Sequence, residues 1–265
     1  MKPRGFALLA VLWVVAVVGA AVGATAGALR TSERAAANRV ALIRGRWAAE
    51  ACAAIAEARV ETPSFMRGDT VELGRGVRCA WRVRDPGTGL DVNTAPSSGL
   101  ARLFAALGAS RDTAEAWARR LVSGRGAGFY GDVEHAVTVA SLPPDVAPYL
   151  SVLGDGSVSA DAPPAVLATL DGITPEAVAL LARRRAESRP VANLDELAGL
   201  LSPSSRLEMV RRYASLQGRL RFAPRLLLLV SDGWVGIEAL PPVATLELVV
   251  VRQGAGLAVL QRRMR

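Results

Sequence analysis

Residues 6–29 hold no charged side chain across 24 successive positions, directly after the basic stretch Met1-Lys2-Pro3-Arg4-Gly5. At about 1.5 Å per residue a helix of that length reaches roughly 36 Å, enough to cross a bilayer with some tilt. The run exceeds the roughly 7–15 apolar residues of a secretory signal peptide, and its plausible cut lies before it, between Gly5 and Phe6, rather than after it. Lys2 and Arg4 put positive charge on the amino side, while Arg30 and Arg34 put some beyond the run. That balance favours an inside amino end only weakly. An uncleaved signal anchor is the competing reading of the same residues.

The rest of the 265-residue chain is long enough for one large domain or two small ones. With 51% apolar and 21% charged residues it carries enough apolar surface for a packed core, which excludes wholesale disorder. A net charge of +8 points to an acidic partner, nucleic acid or lipid head group. The arginines are scattered, however, and no run of five like charges occurs, so the favoured reading of them is a solvated surface. Cys52 and Cys79 are the two cysteines and His135 the one histidine, which leaves no His/Cys zinc set. Outside the cytoplasm the cysteines can bridge if their Cα atoms come within about 7 Å. The sequence leaves open a bridge or two buried thiols.

Residues 30–60 continue the helix. Val40, Ile43, Trp47, Ala51 and Ile55 recur at helical spacing as one apolar stripe, with Arg39, Arg46, Glu50 and Glu57 on other faces. Gly19, Gly23 and Gly27 permit bending or close packing near its start. Val77, Cys79, Trp81 and Val83 then alternate with Arg78, Ala80, Arg82 and Arg84, the period of a strand wet on one face. Residues 71–73 with Gly74-Arg75-Gly76 form the other arm of a hairpin.

From about 90 to 215 the pattern is helical. Two segments resemble each other: Ala95-Pro96, Leu100, Leu103, Leu107, Gly108, Ser110 and Ala162-Pro163, Leu167, Leu170, Gly172, Thr174. Each reads as helix, glycine turn, helix, with Thr174 and Asn193 as helix caps. Strands return at 216–222, 225–230, 234–240, 244–251 and 257–261, and Asp232-Gly233 reads as a hairpin turn between two of them. The order of long helix, strands, helical block and strands predicts an α+β fold whose sheet is interrupted by an all-α insert.

With those elements in place the chain resembles the general secretion pathway protein K family, the large minor pseudopilins of type II secretion systems. Four stretches carry the likeness: Arg4-Gly5-Phe6-Ala7-Leu8-Leu9; Gly89-Leu90-Asp91-Val92-Asn93-Thr94-Ala95-Pro96; Gly172-Ile173-Thr174-Pro175-Glu176 with Val191-Ala192-Asn193-Leu194-Asp195-Glu196-Leu197; and the closing strands. The fifth residue after the expected cut is Ala10, where most prepilin-like proteins carry glutamate, as members of this family typically lack it.

The resemblance implies a pseudopilin fold in six segments: a leader (1–5), a membrane-spanning helix (6–29), its periplasmic continuation (30–60), the first part of an α/β domain (61–90), an α-helical insert (91–215) and closing strands (216–265). It implies a single-pass bacterial inner-membrane protein that is not an enzyme and binds no obligatory cofactor. Its implied partners are the prepilin peptidase, which cuts at Gly5 and methylates Phe6, the minor pseudopilins I and J, and the inner-membrane assembly platform.

Other chemistry is weaker. Gly124-Arg125-Gly126-Ala127-Gly128 lacks the Gly-Lys-Ser/Thr end of a phosphate loop. His135 beside Glu134 has no nucleophile in reach of the pattern. Asp132, Glu134, Asp145, Asp155 and Asp161 offer loop carboxylates for calcium, without the alternation of an EF-hand. Asp171-Gly172-Ile173 raises a rival function, a membrane-anchored helix-hairpin-helix protein that grips DNA backbones through turn amides.

Overall fold

The computed structural model describes residues 4–236, 241–254 and 256–265. Lys2 lies outside the described residues, as do the side chains of Arg4, Gly5, Phe6 and Ala10. Helix α1 runs unbroken through Arg4–Ala58, followed by α2 (Pro63–Arg67), β1 (Asp69–Gly74) and β2 (Val77–Arg84). Next come β3 (Leu90–Asp91), α3 (Ser97–Ala106), α4 (Arg111–Gly124), α5 (Val133–Val139), β4 (Leu150–Ser151), β5 (Val158–Ser159), α6 (Pro164–Leu167) and α7 (Pro175–Ala186). The chain closes with α8 (Leu194–Leu200), α9 (Pro203–Arg211), α10 (Tyr213–Gln217), β6 (Leu220–Arg221), β7 (Leu226–Val235), β8 (Ala244–Gln253) and β9 (Gly256–Met264).

The main sheet has the order β1-β2-β7-β8-β9. Strands β1 and β2 form the expected antiparallel hairpin, from Asp69 opposite Trp81 to Gly74 opposite Val77. Its turn needs positive φ at Gly74, Arg75 and Gly76, which two glycines supply cheaply.

Three expectations fail here. Asp232-Gly233 is not a hairpin turn: β7 runs straight through it, from the strand expected at 225–230 into the first residues of the one expected at 234–240, whose residues 237–240 lie outside the described ones. Asp232 is 3% exposed, forms an ion pair with Arg82 and accepts a 2.6 Å hydrogen bond from the Thr245 hydroxyl. Gly233 is held against helix α1, where a Cβ would lie 2.9 Å from the Ala49 nitrogen and closer still to the Gly45 oxygen.

The helix also buries a different stripe. Gly45, Ala48, Ala49, Cys52, Ala53 and Ala56 face inward, whereas Val40 and Ile43 are exposed and Trp47 is 71% exposed. Small residues win because they let the helix and β7 backbones approach, and the Ser231 hydroxyl then reaches the Ala49 carbonyl at 2.6 Å.

The third correction concerns the insert. Residues 216–222 do not join the main sheet. They form the end of α10 and β6, and β6 pairs in parallel with β5, Val158 opposite Leu220. Strand β3, in a stretch that the sequence pattern reads as helical from about 90 onward, pairs in parallel with β4. The stretch between the sheet neighbours β2 and β7 is therefore residues 85–225, wider at both ends than 91–215.

The chain packs as two units: residues up to Arg82 with Val230–Glu247 and Arg263–Arg265, and Val83–Leu229 with Leu248–Arg262. The second unit has one continuous core, in which Leu100, Leu103, Phe104, Leu121, Leu167 and Leu197 are fully buried. Its two helix–glycine–helix segments share one construction. Gly108 (φ 96°) and Gly172 (φ 87°) turn the chain in the left-handed region. Ser110 then caps α4 by accepting from the Thr113 N–H at 3.3 Å, and Thr174 caps α7 by accepting from Ala177 at 3.2 Å. Asn193 caps α8, and Glu196 reaches back to the Ala192 N–H at 2.8 Å.

Candidate functional site

The feature that most needs a partner is the free part of α1. Its most apolar 18-residue window has a mean hydropathy of 2.1, and none of that window is buried. Val11, Leu12, Trp13, Val14, Val15, Val17, Val18 and Val22 stand in the open. The few hydroxyls there bond to their own helix: Thr25 to the Ala21 and Val22 carbonyls, Thr31 to Ala28 and Ser32 to Leu29, all within 3.1 Å. Internally satisfied polar groups are what hydrocarbon demands of a helix. Gly19, Gly23 and Gly27, four residues apart, have nothing within 4 Å of where a Cβ would stand.

The other end of the rod is fastened firmly. Cys52 of α1 and Cys79 of β2 are joined by a disulfide with Cα atoms 5.8 Å apart. Nearby, the Arg59 guanidinium lies 5.3 Å over the Trp81 ring and pairs with Asp69 at 2.7 Å. A force on the rod is thus delivered through a covalent bond into the sheet.

The 89–96 stretch is a structural latch in the second unit. The Asn93 side-chain amide donates to the Tyr130 and Val152 carbonyls at 3.1 and 3.2 Å, and its oxygen accepts from the Tyr130 N–H at 2.9 Å. Buried Asp91 accepts from the Thr94 hydroxyl at 2.6 Å and the Asn93 N–H at 3.0 Å. Arg125 donates to the Val92 and Ala95 carbonyls, each at 2.6 Å. Burial pulls its guanidinium below the ordinary value, with Asp91 and Tyr130 opposing. Arg125 is thus engaged inside the protein rather than offered to a phosphate. Replacing Asn93 by alanine strands two carbonyls and an N–H, and is expected to cost about 2–3 kcal/mol in urea unfolding.

The loop carboxylates do not converge. Among the described residues no group of three or more metal-type side chains forms. Asp132 caps α5 through the His135 N–H at 2.6 Å, and the exposed His135 ring sits 6.1 Å edgewise from Tyr130. Asp155 pairs with Arg221 at 2.7 Å beside a cavity of about 20 Å³, the size of one water. Burial raises the Asp155 pKa, but the Ser157 hydroxyl and N–H and Arg221 outweigh it and hold the carboxyl below its ordinary value. A depressed carboxylate contributes stability above its unfolded pKa, about 4, that is lost as pH falls through the folded value. The melting difference between the parent chain and Asp155→Asn is therefore expected to shrink between about pH 5 and pH 3.

At the turn proposed for DNA, Arg212 packs on Gly172. Arg212 Cγ would lie 2.7 Å from a Cβ on Gly172, with its Cβ nearer still. The Ile173 N–H points to the Leu170 carbonyl at 3.5 Å, and Asp171 pairs with Arg102. A hollow of about 820 Å³ beside α6 and α7 is lined by Leu107, Pro163, Ile173, Val178 and other apolar side chains, with Tyr149 its only polar one.

Sequence reasoning missed the Arg82–Asp232–Thr245 network and the Asn93 latch as contacts. Alternation in β2 placed Arg82 on a wet face, and nothing local pairs it with a residue 150 positions on.

No family model matches the chain, and no similar curated protein is found. Among solved structures, a chain in the crystal structure of the GspK-GspI-GspJ complex from the enterotoxigenic Escherichia coli Type 2 Secretion System is similar over 89% of this chain and 99% of that one. The TM-score is 0.60 at 16% sequence identity. With its long apolar helix, antiparallel sheet and inserted helices, the chain has a pseudopilin-like α+β fold.

Proposed function

We propose that this chain is a minor pseudopilin of a type II secretion system, of the K kind, which sits at the tip of the pseudopilus and starts its assembly. One observation carries the reading: an uncovered apolar rod is joined to an α+β body with a helical insert, and the whole is similar to a pseudopilin structure over nearly its full length. The role is assembly, not catalysis. Prepilin peptidase removes residues 1–5 and methylates Phe6. The rod then holds the chain in the inner membrane with its folded part in the periplasm, where a Cys52–Cys79 disulfide is at home.

Rods of pseudopilins I and J pack beside this one, small residues allowing close approach. The inner-membrane platform draws the bundle outward. Ala10, in place of a carboxylate, suits the first subunit, which has no subunit above it to meet. Arg212 packed on Gly172, with the Ile173 N–H directed to the Leu170 carbonyl, disfavours the DNA-binding reading.

Mass spectrometry of membrane-extracted protein is expected to find a chain beginning at N-methylated Phe6. Co-purification with I and J is expected to survive detergent and to be lost in a chain cut back to residue 30. An intact amino end on Met1, or no co-purification with the rods present, overturns the reading.

A further inference from the structure

The far end of the apolar run is charged, and with one sign. Between residues 30 and 46 stand Arg30, Arg34, Arg39, Arg44 and Arg46 against the single acidic Glu33, half of the chain's net charge of +8. All five arginines are exposed on α1, within the first packing unit, and among the described residues none of them is tied to a carboxylate. The hydroxyls at the start of this stretch are taken up by the helix itself, Thr31 by the Ala28 carbonyl and Ser32 by Leu29, each at 2.8 Å.

This charge opposes the usual asymmetry. Lys and Arg collect on the cytoplasmic flank of a span, counted within about 15–20 residues of its ends. Once residues 1–5 are removed, as proposed above, Lys2 and Arg4 go with them; no Lys or Arg then precedes the run, while five follow it. Charge set against the orientation of its own helix calls for a counter-charge on the far side.

Depth selects the arginines that can meet one. At about 1.5 Å per residue, Arg30 and Arg34 stand roughly 2 and 8 Å beyond Leu29, the end of the run. The head-group layer on each side of a bilayer is about 5–8 Å thick. Four residues apart, the two arginines share one face of the helix. Guanidinium forks match phosphate oxygens, and two on one face suit a single phosphate. Arg44 and Arg46 lie roughly 22 and 26 Å out, more than a Debye length past the head groups at about 0.1 M salt.

We propose that Arg30 and Arg34 form a clamp for the phosphate of an anionic phospholipid, in the leaflet on the side of the folded body. The clamp rests on the reading that residues 6–29 span the bilayer and adds a ligand to it. It fixes the depth of the rod and makes withdrawal of the rod from the bilayer depend on lipid charge.

The test uses the full chain, without I and J, in nanodiscs of equimolar phosphatidylglycerol and phosphatidylcholine. Native mass spectrometry counts the lipids that leave with the protein. An arginine close to an anionic surface is worth about fivefold in binding. The parent is therefore expected to retain phosphatidylglycerol at least about tenfold over phosphatidylcholine, and R30Q/R34Q to retain the two near parity. R44Q/R46Q is expected to stay within about twofold of the parent. Both variants change only exposed side chains of α1, and their melting temperatures are expected to match the parent.

Equal retention of the two lipids by the parent overturns the proposal, as does a preference that R30Q/R34Q keeps or that R44Q/R46Q loses to the same degree. Inorganic phosphate that displaces phosphatidylglycerol at constant ionic strength overturns it in favour of a soluble anion. Loss of co-purification with I and J in R30Q/R34Q, with lipid preference unchanged, overturns it in favour of a neighbouring rod. Extraction of the chain by alkaline carbonate overturns the membrane-spanning reading and the clamp with it, whereas an inserted chain with no lipid preference overturns the clamp alone.

Discussion

Gly233→Val is expected to be the most damaging single substitution in this chain, lowering stability by roughly 4 kcal/mol or preventing accumulation of folded protein. The reason is what lies opposite. A Cβ at 233 would meet main-chain atoms of α1, with the Ala49 nitrogen at 2.9 Å, the Gly45 carbonyl carbon at 3.0 Å and the Gly45 oxygen nearer still. Helix backbone cannot swing aside as a long side chain can, so helix and strand must separate. Separation exposes Ala48, Ala49, Cys52 and Ala53 and breaks the Ser231 to Ala49 hydrogen bond. Gly199 is the matched control. It lies in α8 with nothing within 4 Å of a Cβ, and Gly199→Ala is expected to stabilise by about 0.5–1 kcal/mol. Denaturant midpoints of the two variants in the same detergent decide the matter. Equal midpoints would show that the helix does not press on the strand at this point.

The second large effect is expected from the double substitution Cys52→Ala with Cys79→Ala. The bond spans a sequence separation of 27, and freeing that loop costs about 3.5 kcal/mol by chain entropy. Both positions are fully buried, so alanine also leaves small voids. Reductant is expected to shift the urea midpoint of the parent chain and to leave that of the double variant unchanged. A parent midpoint indifferent to reductant would mean that the thiols are not joined. The bond also has a mechanical consequence. It couples the apolar rod to the sheet, so its loss is expected to allow α1 to be pulled or proteolysed away from the body at its carboxyl end.

Much of this molecule was legible in its residues because the relevant physics is local. Twenty-four uncharged positions specify an apolar helix whatever follows them. Alternation from Val77 to Arg84 and the Gly74-Arg75-Gly76 turn specify a hairpin. Ser110, Thr174 and Asn193 announce helix starts because each accepts a bond from an N–H three residues on. Asn93 and its neighbours were legible only as a likeness; their bonds to Tyr130 and Val152 cross 37 and 59 residues.

What misled was local chemistry overruled at a distance. Asp-Gly favours a tight turn, yet here Asp232 gains an ion pair with Arg82 and a bond from Thr245, while Gly233 gains a helix at contact range. Large apolar residues marked the wrong stripe of α1, since size signals burial only where there is room for it.

By itself, then, the sequence determined that a long apolar helix precedes an α+β body and where most helices begin, for these follow from short-range hydrogen bonding and from the aversion of hydrocarbon to water. Only the tertiary structure decided which face of the helix is covered, that the Asp-Gly pair is strand, and that the insert reaches from 85 to 225. Those outcomes depend on how closely two backbones approach and on which distant charge waits opposite, and no window of neighbouring residues holds that information.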